Sequence, residues 1–489
     1  MSRPSLVWFR QDLRLEDQPA LQAAIARGEP VIPVFIWSPE DEGKWRPGAA
    51  SRWWLHRSLT QLDMQLRAIG SRLIVRSGDA LRELLSIIDE TDAAAVFWNR
   101  RYEPASIERD SLVKKELRTR GLEVESFNGQ LLFEPWDVQT KEGRPYRVFT
   151  AFWNSCLAKH PPEEPEPAPD TLRSPGVWPK SLTIGELRLD PAIRWDAGLV
   201  TAWKPGAKTA REELNRFLES TVPDYETSRD LPGESGTSRL SPYLHFGEIS
   251  PRIIWHDVFR TATSGGPAEI SSGATTFLKE IGWREFAYHL LFHFPKTVDE
   301  PLRVEFSRFP WLDDSAGLIA WQRGQTGYPI VDAGMRELWS TGWMHNRVRM
   351  IVASFLVKDL LISWTHGADW FWDTLVDADL ASNTLGWQWT AGCGADAAPY
   401  FRVFNPVLQS GKFDPAGTYL RRWLPELERL PPSWLHAPWT APDSVLSEAG
   451  VRLGSTYPHP IVDHGDARKR ALQGLASLSV NTGIRDAKN

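Results

Sequence analysis

Over its first quarter the chain alternates short apolar runs with amphipathic stretches. Leu6–Phe9, Val31–Trp37, Leu73–Arg76, Ala94–Trp98 and Val124–Phe127 are rich in β-branched and aromatic residues and too short for helices, so strands are expected there. Between them Glu16–Arg27, Ala49–Gly70, Asp79–Asp89 and Ile107–Gly121 carry apolar positions at helical spacing. Strand and helix in alternation predict an α/β domain: a parallel five-stranded, Rossmann-like sheet covered on both faces, with a ligand crevice at the carboxyl ends of its strands. No G-x-G-x-x-G follows the first strand, so a nicotinamide-type dinucleotide is not the expected ligand.

The pattern loosens near Phe133, and His160–Lys180 gathers Pro, Glu and Ser into a stretch with the composition of a surface linker. Beyond about Pro205, β alternation all but vanishes. Ala207–Glu219, Ser250–Ala262, Ala274–Phe294, Ile330–Ser340, Asn346–Ile362 and Ala368–Val376 predict an all-α domain; the tail is punctuated by Pro after Pro431 and helical again from Gly465. The expected division is an α/β domain over 1–132, a linker over 133–204 and a helical domain over 205–489, in keeping with a 489-residue chain.

Composition narrows the class. Hydrophobic residues make up 42% and charged residues 24%, ordinary globular values, and neither a signal-peptide core after Met1-Ser2 nor a membrane-spanning run is present. A soluble, cytoplasmic protein with no membrane partner is expected. Cys156 and Cys393 are too few for a disulfide framework or a Cys-ligated cluster, and are expected to be buried thiols. At a net charge of −6, any nucleic-acid site must be a local basic patch. Tryptophan is the outlier, with 25 residues against 21 Phe and 9 Tyr, the reverse of the usual ranking, although most of these indoles are expected to fill the core and its interfaces.

Three segments of the helical half mix polar and aromatic residues where a core helix would be aliphatic. Tyr225-Glu-Thr-Ser-Arg229-Asp230, followed by Thr237-Ser238-Arg239-Leu240-Ser241 before Pro242, offers hydroxyl and backbone donors ahead of a Pro-led helix, chemistry suited to a phosphate; N-capping by Ser241 would use the same groups. Lys279-Glu280-Ile-Gly-Trp283-Arg284-Glu285 puts Glu280 and Trp283 on one helical face, a carboxylate beside an indole that can stack a base, although a core Trp with solvated charges is the plainer use. Trp343-Met-His-Asn346-Arg347-Val-Arg349-Met350, Trp364, and the run Asp377 to Trp389 are dense enough in polar groups for a buried polar ligand or a solvated face. Gly392-Cys-Gly394-Ala-Asp-Ala397 fits G-x-G-x-x-A in letters only, because no strand precedes it.

Together with Gly327-Tyr-Pro-Ile-Val-Asp-Ala-Gly-Met335 and Asp396-Ala-Ala-Pro-Tyr-Phe-Arg402-Val-Phe-Asn-Pro406, these segments resemble the FAD-binding core of the photolyase and cryptochrome family, and Val7-Trp-Phe-Arg10-Gln-Asp-Leu-Arg14 resembles its opening strand and loop. The resemblance runs through nearly the whole chain in the family's order. Gly48-Ala-Ala-Ser-Arg-Trp-Trp54 and Thr384-Leu-Gly-Trp-Gln-Trp389 are similar to the class III bacterial branch of cyclobutane pyrimidine dimer photolyases, close to plant cryptochromes.

The resemblance implies light-driven repair: excited reduced FAD gives an electron to a cyclobutane pyrimidine dimer in DNA, the ring opens, and the electron returns. In the family FAD lies folded in the helical domain. By the match, Tyr225 and Thr237, Ser238, Arg239, Leu240 and Ser241 would hold its phosphates with Arg284 nearby, Arg349 would pair with Asp377, Asp379 would contact the flavin, and Asn383 would face N5. A neutral amide there favours repair, whereas the acid of plant cryptochromes favours another redox state. Glu280, Trp283, Asn346, Met350 and Trp389 would form the dimer pocket, the two indoles wedging against flipped-out bases. A protonated Glu280 would stabilise charge on the dimer. Arg229, Arg347 and Arg402 would grip DNA phosphates, and Trp387, Trp364 and Trp311 would pass electrons to the flavin. An antenna chromophore, methenyltetrahydrofolate, is implied, with Glu103 among its contacts; no metal is implied, and the family form is a monomer.

Three other activities are weighed against this. Repair of (6-4) photoproducts relies on two histidines where this chain has Asn346 and Met350, neither of which transfers a proton as imidazole does. A cryptochrome-type photoreceptor is opposed by Asn383 and by the short tail after the last family motif. A general flavin oxidoreductase would need a hydride-acceptor site, and none is legible.

Overall fold

The computed structural model describes residues 3–263, 270–397 and 401–480. Five strands, β1 (Ser5–Phe9), β2 (Val31–Trp37), β3 (Ile74–Ser77), β4 (Ala95–Asn99) and β5 (Glu123–Phe127), alternate with helices α1 (Pro19–Ala26), α2 (Ala49–Ala68), α3 (Ala80–Thr91) and α4 (Pro104–Thr119). The sheet order is β3-β2-β1-β4-β5 and every pairing is parallel, with Ser5 opposite both Val31 and Ala95. All five residues of β1 and of β4 are buried, which is why these strands are unbroken apolar runs rather than alternating ones. Leu6, Trp8, Val34, Ile74, Val96 and Trp98 join Leu84, Ile87, Val113 and Leu117 of α3 and α4 in one core. Asp79 caps α3 by accepting from the Arg82 N–H at 2.8 Å. The linker also works structurally: Leu182 donates to the Val75 carbonyl at 2.9 Å, covering the β3 edge.

Helices dominate the rest of the chain, as expected. The longest is Ser272–His293, and the sequence motifs fall on Pro329–Thr341, Asn346–Ser354, Trp364–Thr374 and Leu380–Ala391. The helix expected over 346–362 is shorter: after Ser354 the chain makes a π-helical turn over Phe355–Asp359, and Leu361 has a φ of 55°. No helix among the described residues is long and apolar enough to cross a membrane.

Contacts divide the chain into two units: Met1–Pro223, Ser238–Pro295 and Val376–Ala381 form one, and Asp224–Thr237, Lys296–Leu375 and Ser382–Asn489 the other. This division groups residues by contact and runs across the boundary expected near residue 205.

Candidate functional site

In the first unit, helix Ser272–His293 starts at Ser271, whose side chain accepts from the Ala274 N–H. Ile281 and Gly282 are buried while Glu280 and Trp283 are partly exposed, so the face expected from their spacing does turn outward. Gly282 is required: a Cβ there would meet the Trp153 ring at 2.6 Å. Trp283 lies face to face with Phe149, ring centroids 3.9 Å apart and planes within 8°, so one indole face is fixed by packing.

The next residue, Arg284, donates to the Gln130 carbonyl at 2.8 Å and rides 4.9 Å over the Tyr288 ring. Glu285 turns inward and accepts from the Leu132 and Phe133 N–H groups at 2.8 and 3.2 Å; burial pushes its carboxyl up to about 7 against the pull of Arg284. Tyr288 is fully buried, donates its hydroxyl to Asp379, and accepts from Gln130 Nε2 at 3.1 Å. His245 Nδ1 stands 3.9 Å from the same Asp379 oxygen, an ion-pair distance beyond hydrogen-bond reach. Burial pushes the Asp379 carboxyl up, but His245, Arg284 and Tyr288 outweigh it and hold it below the usual carboxylate range. Asp379 is thus a buried anion amid donors. Asp377 is buried too, its carbonyl accepting from the Asp379 N–H at 2.7 Å.

Of the expected phosphate-holding segment, Ser238 to Ser241 belong to this unit. Arg239 takes a φ of 53° and places its guanidinium 4.2 Å over the Trp203 ring. Ser241 is not an N-cap: the short helix Ser241–His245 begins at Ser241 itself, with Leu240 in the cap position. At the carboxyl end of β1, where the strand order reverses between β1 and β4, Arg10 is buried against Asp110 at 3.1 Å and stacks 4.3 Å from the Trp8 ring. Glu103, in the cap position of α4, is buried and paired with Arg101 at 3.0 Å, and Arg101 also binds Glu42 at 2.7 Å. A ligand at Glu103 therefore has to compete with Arg101.

In the second unit, Tyr225 is buried beneath Arg229, whose guanidinium lies 5.6 Å over its ring, and Thr237 is partly exposed. His345 caps helix Asn346–Ser354 through Nδ1, which accepts from the Arg347 N–H at 3.2 Å. Asn346 and Met350, one turn apart, are exposed and partly exposed. Arg347 clasps Asp230 with two hydrogen bonds from Nη2, at 2.7 and 2.8 Å, and one from Nε at 3.2 Å. Arg349 donates through Nε to the Met344 carbonyl at 2.7 Å. Asn383 donates its amide to the Ala368 carbonyl at 3.1 Å, which leaves its carbonyl oxygen as an acceptor for another group. Trp387 is buried, with Phe371 5.0 Å and Trp321 6.1 Å from its ring. It lies so near Gly367 that a Cβ there would be 2.0 Å from the indole. Trp389 is partly exposed, Trp364 is buried at the start of its helix, and Trp311 is partly exposed against Phe309 at 4.4 Å. Arg402 is exposed; its motif neighbours 398–400 lie outside the described residues.

Sequence reasoning missed Phe149, Gln130, His245 and Tyr288, and gave Asp230 no role. Tyr288 follows Arg284 by one helical turn, a spacing that could have flagged it; the others meet their partners only through the tertiary fold.

Two family models cover this architecture. One, the FAD binding domain of DNA photolyase, matches residues 277–477, and the other, DNA photolyase, matches residues 5–170. The class is thus that of FAD-binding proteins joining a parallel α/β sheet to a helical flavin domain. Deoxyribodipyrimidine photo-lyase of Agrobacterium fabrum is 51% identical over 98% of this chain and 99% of its own, and Cryptochrome-1 of Arabidopsis thaliana is 45% identical over 97% of this chain and 70% of its own. A solved bacterial class III photolyase from Agrobacterium tumefaciens superposes with a TM-score of 0.94 at 50% identity, covering 98% of each chain. The chain belongs to the photolyase/cryptochrome family.

Proposed function

We infer that this chain is a deoxyribodipyrimidine photo-lyase, splitting cyclobutane pyrimidine dimers in DNA with light absorbed through FAD. The observation that carries this is agreement over 98% of this chain and 99% of a photo-lyase at 51% identity. We propose 1–132 as the antenna-binding part, 133–204 as linker and 205–489 as the flavin- and DNA-binding part, acting as a monomer in the cytoplasm.

The residues fit FAD. In the first unit, Arg284 Nη2, Gln130 Oε1 and His245 Nδ1 are buried without hydrogen-bond partners among the described residues, the mixed donors and acceptors a polar heterocycle would satisfy. When bound and reduced, FAD supplies the light-driven electron donor, and the chemistry is redox-neutral because the electron returns. We propose that Tyr225, Thr237, Ser238, Arg239, Leu240 and Ser241 hold the phosphates with Arg284. Asp377, Asp379, Arg349 and Asn383 are the flavin contacts, Asn383 presenting its carbonyl oxygen. Trp283, backed by Phe149, offers its other face to a dimer base, worth about 1–3 kcal/mol, and Trp389, Asn346 and Met350 are the other proposed dimer contacts. Glu280, when it carries a proton, donates a hydrogen bond to the dimer. Arg229, Arg347 and Arg402 hold DNA phosphates, and Trp387, Trp364 and Trp311 conduct electrons. Methenyltetrahydrofolate is the proposed antenna, with Glu103 a contact once Arg101 is displaced.

Likeness to plant cryptochrome keeps a photoreceptor as the second reading. The deciding experiment incubates the reduced flavoprotein with a thymine-dimer oligonucleotide in blue light and in darkness. Intact thymines recovered only in light support repair; tight FAD binding with no repair in light would transfer the reading to the photoreceptor.

A further inference from the structure

The ion pair between Asp230 and Arg347 is partly solvated. Its side chains keep 21% (Arg347) and 32% (Asp230) exposure, and pairs that wet contribute little to folding. The geometry is nevertheless specific. Asp230 takes up the Nε and Nη2 edge of the guanidinium, the Phe413 ring lies 4.4 Å from its centre, and Nη1 reaches Met350 Sδ at 3.8 Å. The fork is therefore held in one orientation with its Nη1 edge toward Met350. Burial pushes the neighbouring His345 imidazole down to about 4; Arg229, Arg347 and Arg349 act in the same direction and Asp230 opposes them, so all four charges lie close together.

We propose that Asp230 is a specificity-determining positioning residue: it fixes Arg347 so that Nη1 meets one phosphate beside the dimer pocket, and its charge reduces the affinity of this arginine group for undamaged DNA. The proposal rests on the DNA-repair reading above. The physical reason is that phosphate attraction is blind to sequence and damage, so an arginine cluster alone would hold any duplex; a built-in carboxylate lowers the attraction for every nearby phosphate, and only one that arrives where the fixed Nη1 edge can bind it gains a compensating hydrogen bond. Under this proposal a flipped-out dimer, and not an intact duplex, presents a phosphate to that edge.

The test uses the full-length flavoprotein and two labelled duplexes of one sequence, undamaged and with a single thymine dimer, titrated in darkness over a salt series. Asp230→Asn removes the charge and keeps the shape. It is expected to tighten binding to the undamaged duplex about five-fold at low salt, to steepen its salt dependence by up to about one phosphate contact, and to tighten dimer binding less, so that preference for damage falls. In an Arg347→Gln background the same change is expected to have no effect on the salt slope. Should Asp230→Asn lose FAD, Asp230→Ser makes the same measurement. Unchanged or weaker undamaged-duplex binding in a variant that retains FAD and its melting temperature would overturn the proposal, as would an unaltered salt slope. A wild-type protein without preference for the dimer duplex would instead refute the repair reading, leaving the salt slope to judge Asp230.

Discussion

At the scale of single residues, Asp379 shows how a buried anion is maintained. A carboxylate so buried resists ionisation, yet Tyr288 donates to it directly, with His245 and Arg284 close by. Tyr288→Phe removes that donor and also strands the Gln130 amide, which donates to the same hydroxyl. The expected loss is about 1.5–3 kcal/mol, the range for a hydrogen bond to a charged group. It should be read twice, as a lower melting temperature and as faster release of FAD followed by flavin fluorescence. Fast release at an unchanged melting temperature would place the role of Tyr288 wholly at the flavin. Glu248 is a second buried acid, but of opposite sign. It accepts from Ser58 at 2.7 Å and Trp54 Nε1 at 3.1 Å, and burial still pushes it from 4.5 up to about 8. The folded state then binds the proton more tightly than the unfolded chain, so this group's stability is full below about 4.5 and is lost as pH rises through about 8. Glu248→Gln should therefore flatten melting temperature against pH over that window, with the variant gaining on wild type at the alkaline end. Parallel curves for the two proteins would show that the carboxyl does not titrate there.

At the scale of elements, close approach decides what can be placed where. Helix Trp364–Thr374 lies against Trp387 at Gly367, and a Cβ at 2.0 Å cannot be accommodated without moving one of the two. Gly367→Ala should cost about 1–3 kcal/mol and, by shifting the indole, slow light-dependent reduction of bound flavin; lost stability with unaltered photoreduction would mean that Trp387 stays put and the helix yields. The central strands were legible in the sequence because burial on both faces makes each a continuous apolar run, as in Leu6–Phe9, whereas the edge strand Glu123–Phe127 alternates exposed and buried positions. The span of helix 346–362 was overread because the helical period continues through Phe355–Asp359 while the hydrogen bonding changes to a π turn, a change that side-chain spacing hardly registers. Glu280 and Trp283 were legible as one helical face through their spacing, and as site candidates only through the family resemblance. Gln130, His245, Tyr288 and Asp379 were not read as a cluster, since each lies far from the next in sequence and only folding brings them together.

At the scale of the whole molecule, a net charge of −6 means that a nucleic-acid partner has to be held by a few local cations against general repulsion. Binding to a dimer duplex should then weaken steeply with salt, because each phosphate neutralised releases counterions. The three proposed phosphate-holding arginines are not equivalent in this respect. Arg402 is exposed, Arg229 lies over an aromatic ring, and Arg347 already shares its charge with Asp230. Replacing Arg229 or Arg402 by Gln should each lower the slope of log affinity against log salt by about one, equally for damaged and undamaged duplex, whereas Arg347→Gln should lower it by less and reduce mainly the preference for damage. Binding isotherms across a salt series decide this. Three equal decrements would make Asp230 irrelevant to recognition, and no decrement at Arg229 or Arg402 would move the DNA-binding face away from these residues altogether.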